Sequence, residues 1–260
     1  MTQETFTSLR QSLPARLLHL VRHASDPFSL PHLIWKNVTF PFSPQGAEVR
    51  YDRRMGIDTA GYIEAFDLDL SAEEAKRGMP YGATPPRIAK FLIEKIAPRA
   101  RDFTFVDVGS GKGRVLLIAA GFAFRRVIGF EHSRMLNDVA AENIRQFVER
   151  NPDTAPITLV AGDATRLPLP DGPLVLFLFN SLGPEAVQDF AASVRASYLA
   201  APRKIICIYY NTAHPAAFED AGIFPLLELV DCPDDACDRY RDLGFRALVF
   251  ETWDPETPGS

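Results

Sequence analysis

Cysteine is scarce in this chain, with three in 260 residues. That excludes a small disulfide-stapled scaffold. Cys207 sits in the apolar run Ile205-Ile206-Cys207-Ile208 and reads as a core thiol, while Cys232 and Cys237 have no second Cys or His pair beside them to complete a metal site. Histidine is also sparse, and His19, His23 and His32 lack metal-ligand spacing. Excess positive charge is missing too: 28 Lys and Arg against 33 Asp and Glu give a net charge of −5. A nucleic acid is therefore not the expected partner, because phosphate binding needs an excess of neutralising cations, although a small basic patch stays open. No apolar stretch approaches the roughly 18 charge-free residues of a membrane span, and the first residues are polar, without a signal-peptide pattern. The expectation is a cytoplasmic protein. Neither an internal repeat nor a long low-complexity tract appears.

What is present is a core-forming composition, 47% hydrophobic, enough for one large α/β domain with an extension. Residues 1 to about 58 stand apart. They are slightly basic and carry aromatic–proline segments such as Phe40-Pro41-Phe42-Ser43-Pro44. Leu13 to Val21 matches a short amphipathic helix, with Leu13, Leu17, Leu20 and Val21 on one face. This arm reads as a packing lid or, alternatively, as a membrane-surface or partner-binding element. From Ala83 onward strands and helices alternate. Thr84-Pro85-Pro86 reads as a helix start with Thr84 as its cap, and Ile88, Phe91, Leu92 and Ile96 recur at helical spacing. Strands are expected at 103–108, 126–131, 156–160, 174–179 and 204–210, with helices at 113–121, 133–150 and 185–198. The helix at 133–150 places Met135, Leu136, Val139, Ile144 and Phe147 broadly on one side. Segments 224–230 and 246–252, with no long helix between them, read as an antiparallel edge hairpin. The pattern predicts a doubly wound, mostly parallel sheet. The tail 254–260 reads as frayed.

The chemistry concentrates at strand ends. Phe105-Val106-Asp107-Val108-Gly109-Ser110-Gly111-Lys112-Gly113-Arg114 runs from an apolar strand through a glycine-rich turn into an apolar helix, so bare backbone meets a ligand there. The nicotinamide fingerprint G-x-G-x-x-G needs a small residue where Arg114 stands. Asp107, two residues before the first glycine, would repel a pyrophosphate but can hold an ammonium group. The turn thus favours an amine-bearing, phosphate-free adenosine ligand, S-adenosylmethionine, over a dinucleotide. Glu131 ends the next strand, where a carboxylate accepts from both ribose hydroxyls of an adenosine; the plainer reading is a solvated strand-end acid. His132 either flanks adenine or faces water. After the third strand comes Val160-Ala161-Gly162-Asp163-Ala164, where Asp163 can accept from an adenine amino group and the Ala164 N–H can donate to a ring nitrogen. Asp67, Asp69, Asp234 and Asp235 read as surface charges.

Taken in order, Val-Asp-Val-Gly-Ser-Gly-Lys-Gly, then Gly-Phe-Glu, then Gly-Asp-Ala resembles the class I S-adenosylmethionine-dependent methyltransferases over roughly residues 80 to 210. The resemblance implies a seven-stranded sheet with the methyl donor across the carboxyl ends of its first four strands. It also implies that Asp107, Gly109, Gly111 and Gly113 line the methionine end, Glu131 the ribose, and Asp163 and Ala164 the adenine. Tyr81-Gly82-Ala83-Thr84 is locally similar to the donor-covering segment of the non-SET histone lysine methyltransferases and their bacterial relatives, which implies that Tyr81 and Thr84 face the donor. The corresponding division is an extension, 1–79, that covers the site or selects substrate, and a methyltransferase domain, 80–260.

At the end of the fourth strand, Phe179-Asn180-Ser181-Leu182-Gly183-Pro184 shares its Asn with amino-group methyltransferases, where that side chain positions the nucleophilic nitrogen. Ser181 and Leu182 depart from that pattern. Asn180 is thus either the acceptor-positioning residue or a cap for the helix starting near Gly183. Tyr209, Tyr210 and Asn211 end the fifth strand near the expected acceptor pocket, as contacts or as core. The leading expectation is a methyltransferase acting on a protein lysine or another amine. A small-molecule methyltransferase, an NAD-linked oxidoreductase and a non-catalytic adenosine-binding protein are the alternatives.

Overall fold

The computed structural model describes residues 43–238 and 246–252. The amphipathic segment 13–21, the three arm histidines and the tail 254–260 lie outside the described residues. Two short strands, β1 (Tyr62–Ile63) and β2 (Tyr81–Gly82), pair antiparallel. The main sheet contains β3 (Thr104–Val108), β4 (Arg126–Glu131), β5 (Ile157–Ala161), β6 (Leu174–Phe179), β7 (Ile205–Tyr210), β8 (Leu226–Asp231) and β9 (Arg246–Glu251). Its order is β5-β4-β3-β6-β7-β9-β8. Pairing is parallel from β5 through β7, and β9 runs antiparallel to both β7 and β8. The expected seven-stranded doubly wound sheet and its edge hairpin are both present.

The helices are α1 (Pro44–Met55), α2 (Ala72–Arg77), α3 (Pro86–Ile96), α4 (Arg114–Ala120), α5 (Arg134–Arg150), α6 (Pro184–Ala200) and α7 (Ala216–Asp220). Strands covered on both faces can be apolar throughout, and side-chain alternation sends each residue to one of two cores. Phe105, Val175, Phe177, Ile206 and Ile208 pack with Ile88, Leu92, Ile96 and Leu116 on the α3–α4 side. Val106, Leu176, Leu178, Cys207 and Tyr209 pack with Val187, Phe190 and Val194 of α6 on the other. The apolar run in β6 is therefore two interleaved faces. Tyr209 and Tyr210 are both core residues, one on each side.

Two local expectations are corrected together. Thr84 does not cap α3: the N-cap is Pro85, without a side-chain cap bond. Neither Pro85 nor Pro86 has an N–H, so the first donor needing a partner is Arg87 N. It donates to Asp235 Oδ2 at 2.7 Å, across the fold. Asp235 is accordingly buried and also accepts from Cys237 N; it is not a surface charge. Asp69 is exposed, as a surface charge should be, and accepts from Ser133 Oγ and Met135 N at the start of α5. Met135 lies exposed while Leu136 is buried, so the apolar face of α5 is narrower than its sequence pattern.

Between β3 and β6 the winding direction of the sheet reverses. The strand ends diverge there, which opens a crevice at their carboxyl edge.

Candidate functional site

A cavity of about 680 Å³ occupies that crevice. Tyr81, Thr84, Asp107, Gly109, Gly111, Glu131, Asp163 and Ala164 all line it. Gly113 does not; it is the N-cap of α4 and packs against Ala140 of α5. Asn180 lies outside this lining as well, in the adjoining space described below.

Asp107 is 4% exposed. Burial pushes its carboxyl well above the usual carboxylate range, and the neighbouring Glu131 charge pushes the same way, with no hydrogen bond from the described residues opposing them. A buried carboxyl in that state is chemically suited to a cationic partner. Glu131 is raised by burial as well, but the backbone N–H groups of Ser133 and Gly111 oppose this. Ser133 N donates to Oε1 at 2.9 Å and Gly111 N to Oε2 at 2.8 Å. Each oxygen keeps accepting capacity toward the cavity, which suits a vicinal diol. Gly111, at φ 53°, has no room for a side chain, because an added Cβ would fall on the Tyr81 ring. Asp163 Oδ1 accepts from Thr165 N and Thr165 Oγ1, which fixes the turn after β5. His132 lines the same cavity, half-buried, with Nε2 3.0 Å from Glu74 Oε1 of α2.

Arg114 was the residue that spoiled a dinucleotide fingerprint, and the structure gives it a partner set that no local sequence signal foretold. Its guanidinium is buried. Nε donates to Thr59 Oγ1 at 2.7 Å, Nη1 to Thr84 O at 3.2 Å, and Nη2 lies 3.4 Å from Asp52 Oδ1. Tyr51 faces it with its ring, 5.3 Å from the centroid. Asp52 also accepts from Thr59 N, Ala60 N and Thr59 Oγ1. Tyr81 donates its hydroxyl to Thr59 O at 2.6 Å, and burial raises that hydroxyl's pKa, so it stays a neutral donor. Asn143 of α5 donates to both Asp58 O and Lys112 O. The segment from α1 through β2 is thereby tied to the glycine turn and forms one wall of the cavity. On the opposite side Gly183 N donates to Arg77 O, and Gly78 bridges Leu182.

A second cavity of about 170 Å³ adjoins the first and contains Asn180 on its wall. Met79, Pro80, Gly82, Ala83 and Phe179 line both. Asn180 does not cap α6, whose N-cap is Gly183 without a side-chain bond. Its Oδ1 is buried and without a hydrogen-bond partner among the described residues. Ser181 instead donates to Val108 O and fills the space above Gly109.

The switch-point cavity thus presents two buried carboxylates, Asp107 and Glu131, beside a glycine turn, an arrangement suited to an amine-bearing adenosine ligand. Residues 106–195 match the methyltransferase domain family. That segment holds the glycine turn, Glu131 and Asp163 of the cavity, so the chain contains a methyltransferase domain. No curated protein is significantly similar to it. Several solved structures are distantly alike in fold. The tRNA (uracil-54, C5)-methyltransferase of Pyrococcus abyssi, in complex with S-adenosyl-L-homocysteine, is 17% identical with a TM-score of 0.41 over 64% of this chain and 38% of that one. An S-adenosylmethionine-dependent methyltransferase from Clostridium acetobutylicum is 10% identical with a TM-score of 0.46, covering 66% and 93%. TrmN from Thermus thermophilus is 17% identical with a TM-score of 0.46, covering 66% and 50%. Among the described residues no helix is long and apolar enough to cross a membrane, and no group of His, Cys, Asp and Glu could hold a metal ion.

Proposed function

We propose that this methyltransferase acts on a nitrogen nucleophile, an amine of a protein lysine or a small molecule, positioned by Asn180. The observation that carries the reading is Asn180 on the wall of a cavity that adjoins the donor cavity, with its Oδ1 tucked away from solvent and without a hydrogen-bond partner among the described residues, so that a turn of the amide can offer it to a bound N–H group. An unsatisfied buried acceptor costs about 1–3 kcal/mol, a cost that a bound N–H group removes.

In this reading Asp107 holds the donor's ammonium group and Glu131 its ribose hydroxyls. Asp163 and the Ala164 N–H meet the adenine. Gly109 and Gly111 leave room for the methionine end, Tyr81 and Thr84 close over it, and Gly113 acts through helix packing. When bound, S-adenosylmethionine supplies an electrophilic methyl group on a positively charged sulfur. Transfer to nitrogen would exchange that methyl group's bond to sulfur for a bond to nitrogen, the old bonding pair remaining with sulfur. The proton shed by the methylated nitrogen passes to solvent. The chain's contribution is alignment: Asn180 Oδ1 accepts an N–H bond and directs the lone pair toward the donor cavity. The stretch 43–79 acts as the cover that shapes the acceptor entrance.

Transfer of labelled methyl from S-adenosylmethionine into fractionated cell extract tests this. Label is expected in protein or in small amines, at nitrogen. Label confined to oxygen, carbon or nucleic acid would overturn it.

A further inference from the structure

We infer that Asn211 is a second acceptor-positioning residue, and that Asn180 and Asn211 together form a two-amide clamp for an aliphatic amine. The inference rests on the amine reading above and adds a residue and a selectivity to it.

Phe179 and Tyr210 are paired in register on the parallel strands β6 and β7. The next residue on each strand is an asparagine, so Asn180 and Asn211 leave the sheet side by side at its carboxyl edge, about 4.8 Å being the spacing of neighbouring strands. Both take a left-handed backbone, φ 43° and φ 52°, a conformation that asparagine tolerates better than most side chains. Together with the left-handed Asp102, they make up the non-glycine residues of positive φ among those described. Both line the 170 Å³ cavity.

The other walls define what fits between them. Met79, Pro80, Pro85 and Phe179 are apolar and suit a methylene stem. The Asp238 carboxylate, which accepts from Tyr210 Oη at 3.3 Å, adds negative charge. No Lys or Arg lines this cavity among the described residues. The two amides each offer one accepting oxygen, and the Asp238 carboxylate beside them accepts hydrogen bonds and repels anions. This lining suits a nitrogen with at least two N–H bonds on an apolar stem, and opposes a carboxylate or a phosphate ester. A clamp with two acceptors also fixes orientation: with two N–H bonds engaged, the nitrogen's lone pair has one direction left to it.

The full-length chain saturated with S-adenosylhomocysteine, titrated with n-butylamine, n-butanol and butyrate by saturation-transfer NMR, tests the clamp. Asn180→Gly and Asn211→Gly keep the left-handed backbone while removing each amide, and Asn211→Asp keeps an accepting oxygen. Butylamine is expected to bind the wild-type chain in preference to butanol, with butyrate excluded. Butylamine is an ammonium ion at neutral pH and so reads out the N–H-accepting set rather than the lone pair; each glycine variant should weaken its binding about tenfold, the scale of one lost hydrogen bond to a charged group. Asn211→Asp should retain binding within about threefold, and homocysteine-donor affinity should stay within about twofold in all three. Weakening in Asn180→Gly with none in Asn211→Gly overturns the clamp and leaves the amine reading standing. Butylamine binding no better than butyrate overturns both. A wild-type chain that fails to bind S-adenosylhomocysteine overturns the donor assignment and the clamp with it.

Discussion

The larger cavity, proposed above for the donor, and the smaller one, proposed for the acceptor, share one wall and are built in different ways. The donor side is over-determined: Glu131 is held by two backbone N–H groups, and Arg114, Asp52, Thr59 and Tyr81 form a continuous buried network behind it. The acceptor side has a buried amide oxygen without a partner and two asparagines in a left-handed backbone. The larger cavity has unsatisfied groups too, the Asp107 carboxyl and the Ser110 hydroxyl, but they lie beside a network of side-chain hydrogen bonds that reaches back to α1, whereas Asn180 sits at a strand end outside that network. Substitutions should therefore have large structural consequences on the donor side and small ones on the acceptor side.

The largest effect is expected from Arg114→Met. Removing the guanidinium leaves Asp52 charged and buried, a loss on the order of 3–5 kcal/mol of folding stability. Urea unfolding followed by circular dichroism measures it. Because Arg114 also holds Thr59 and the Thr84 carbonyl, the donor affinity measured by calorimetry should fall in the same variant. Asp52→Asn is the milder partner change, since it keeps the acceptor and removes the charge. If Arg114→Met unfolds at the wild-type urea midpoint, the donor wall is not the interlocked unit described and the contrast disappears.

Next come the two cavity carboxylates, which should separate function from stability. Asp107→Ala and Glu131→Ala are each expected to weaken S-adenosylhomocysteine binding by about 1–3 kcal/mol, the range for losing a charged hydrogen-bond partner. Their effects on the ligand-free fold should differ in sign. Glu131→Ala leaves two backbone N–H groups unsatisfied and destabilises. Asp107→Asn removes a buried carboxyl that no described donor satisfies, and is expected to raise the unfolding midpoint while donor binding falls. A shift downward in Asp107→Asn would place a structural partner at that carboxylate.

The donor half of this contrast was largely legible in the sequence because its chemistry lies in contiguous motifs. Asp107, Gly109 and Gly111 sit on one strand–turn–helix, and Glu131 and Asp163 each end a strand that the alternation rule locates. Arg114 was legible only as a misfit, since its partners Asp52 and Thr59 lie far away in the chain and carry no local signal. The same limit hid the Asp235 cap on α3: two prolines remove the local donors, and the acid that replaces a local cap is brought in by the loop before β9. Asn180 was legible as a strand-end asparagine, but its adjacency to Asn211 comes from the β6–β7 register, which pairs Phe179 with Tyr210. Tertiary pairing, not propensity, builds what the local pattern misses.

A smaller effect follows from the direction in which Asp107 is shifted. Burial and Glu131 raise its pKa in the ligand-free fold. The folded chain then holds a proton that the unfolded chain has already released above about pH 3.9. Ligand-free stability should therefore fall as pH rises from that value through the raised folded-state value. Donor binding runs the other way: the incoming ammonium favours the carboxylate, so a proton is released and affinity rises with pH, by at most about tenfold per unit. The slope ends once Asp107 is ionised in the free protein. Calorimetry of S-adenosylhomocysteine in buffers of different ionisation enthalpy counts the released proton, and Asp107→Asn should abolish it. A pH-independent affinity in the wild-type chain would assign the ammonium to another group.

The smallest structural change is expected on the acceptor side, from Asn180→Gly. A left-handed backbone costs a non-glycine residue roughly 1–2 kcal/mol, a strain that glycine removes. Glycine also widens the unfolded ensemble, which costs about 0.4–1 kcal/mol in the opposite direction. The amide oxygen removed has no partner among the described residues, so no hydrogen bond to it is lost from the fold. Removing that oxygen also relieves the cost of burying it unpaired, about 1–3 kcal/mol, so the unfolding free energy should hold or rise, not fall. Donor affinity should be unchanged, since Asn180 lies outside the donor cavity lining. Methyl transfer, by contrast, should fall through kcat, because the amide acts on the orientation of the acceptor nitrogen. An unfolding loss as large as that of Arg114→Met would mean that Asn180 is structural, and the acceptor side would then be as interlocked as the donor side.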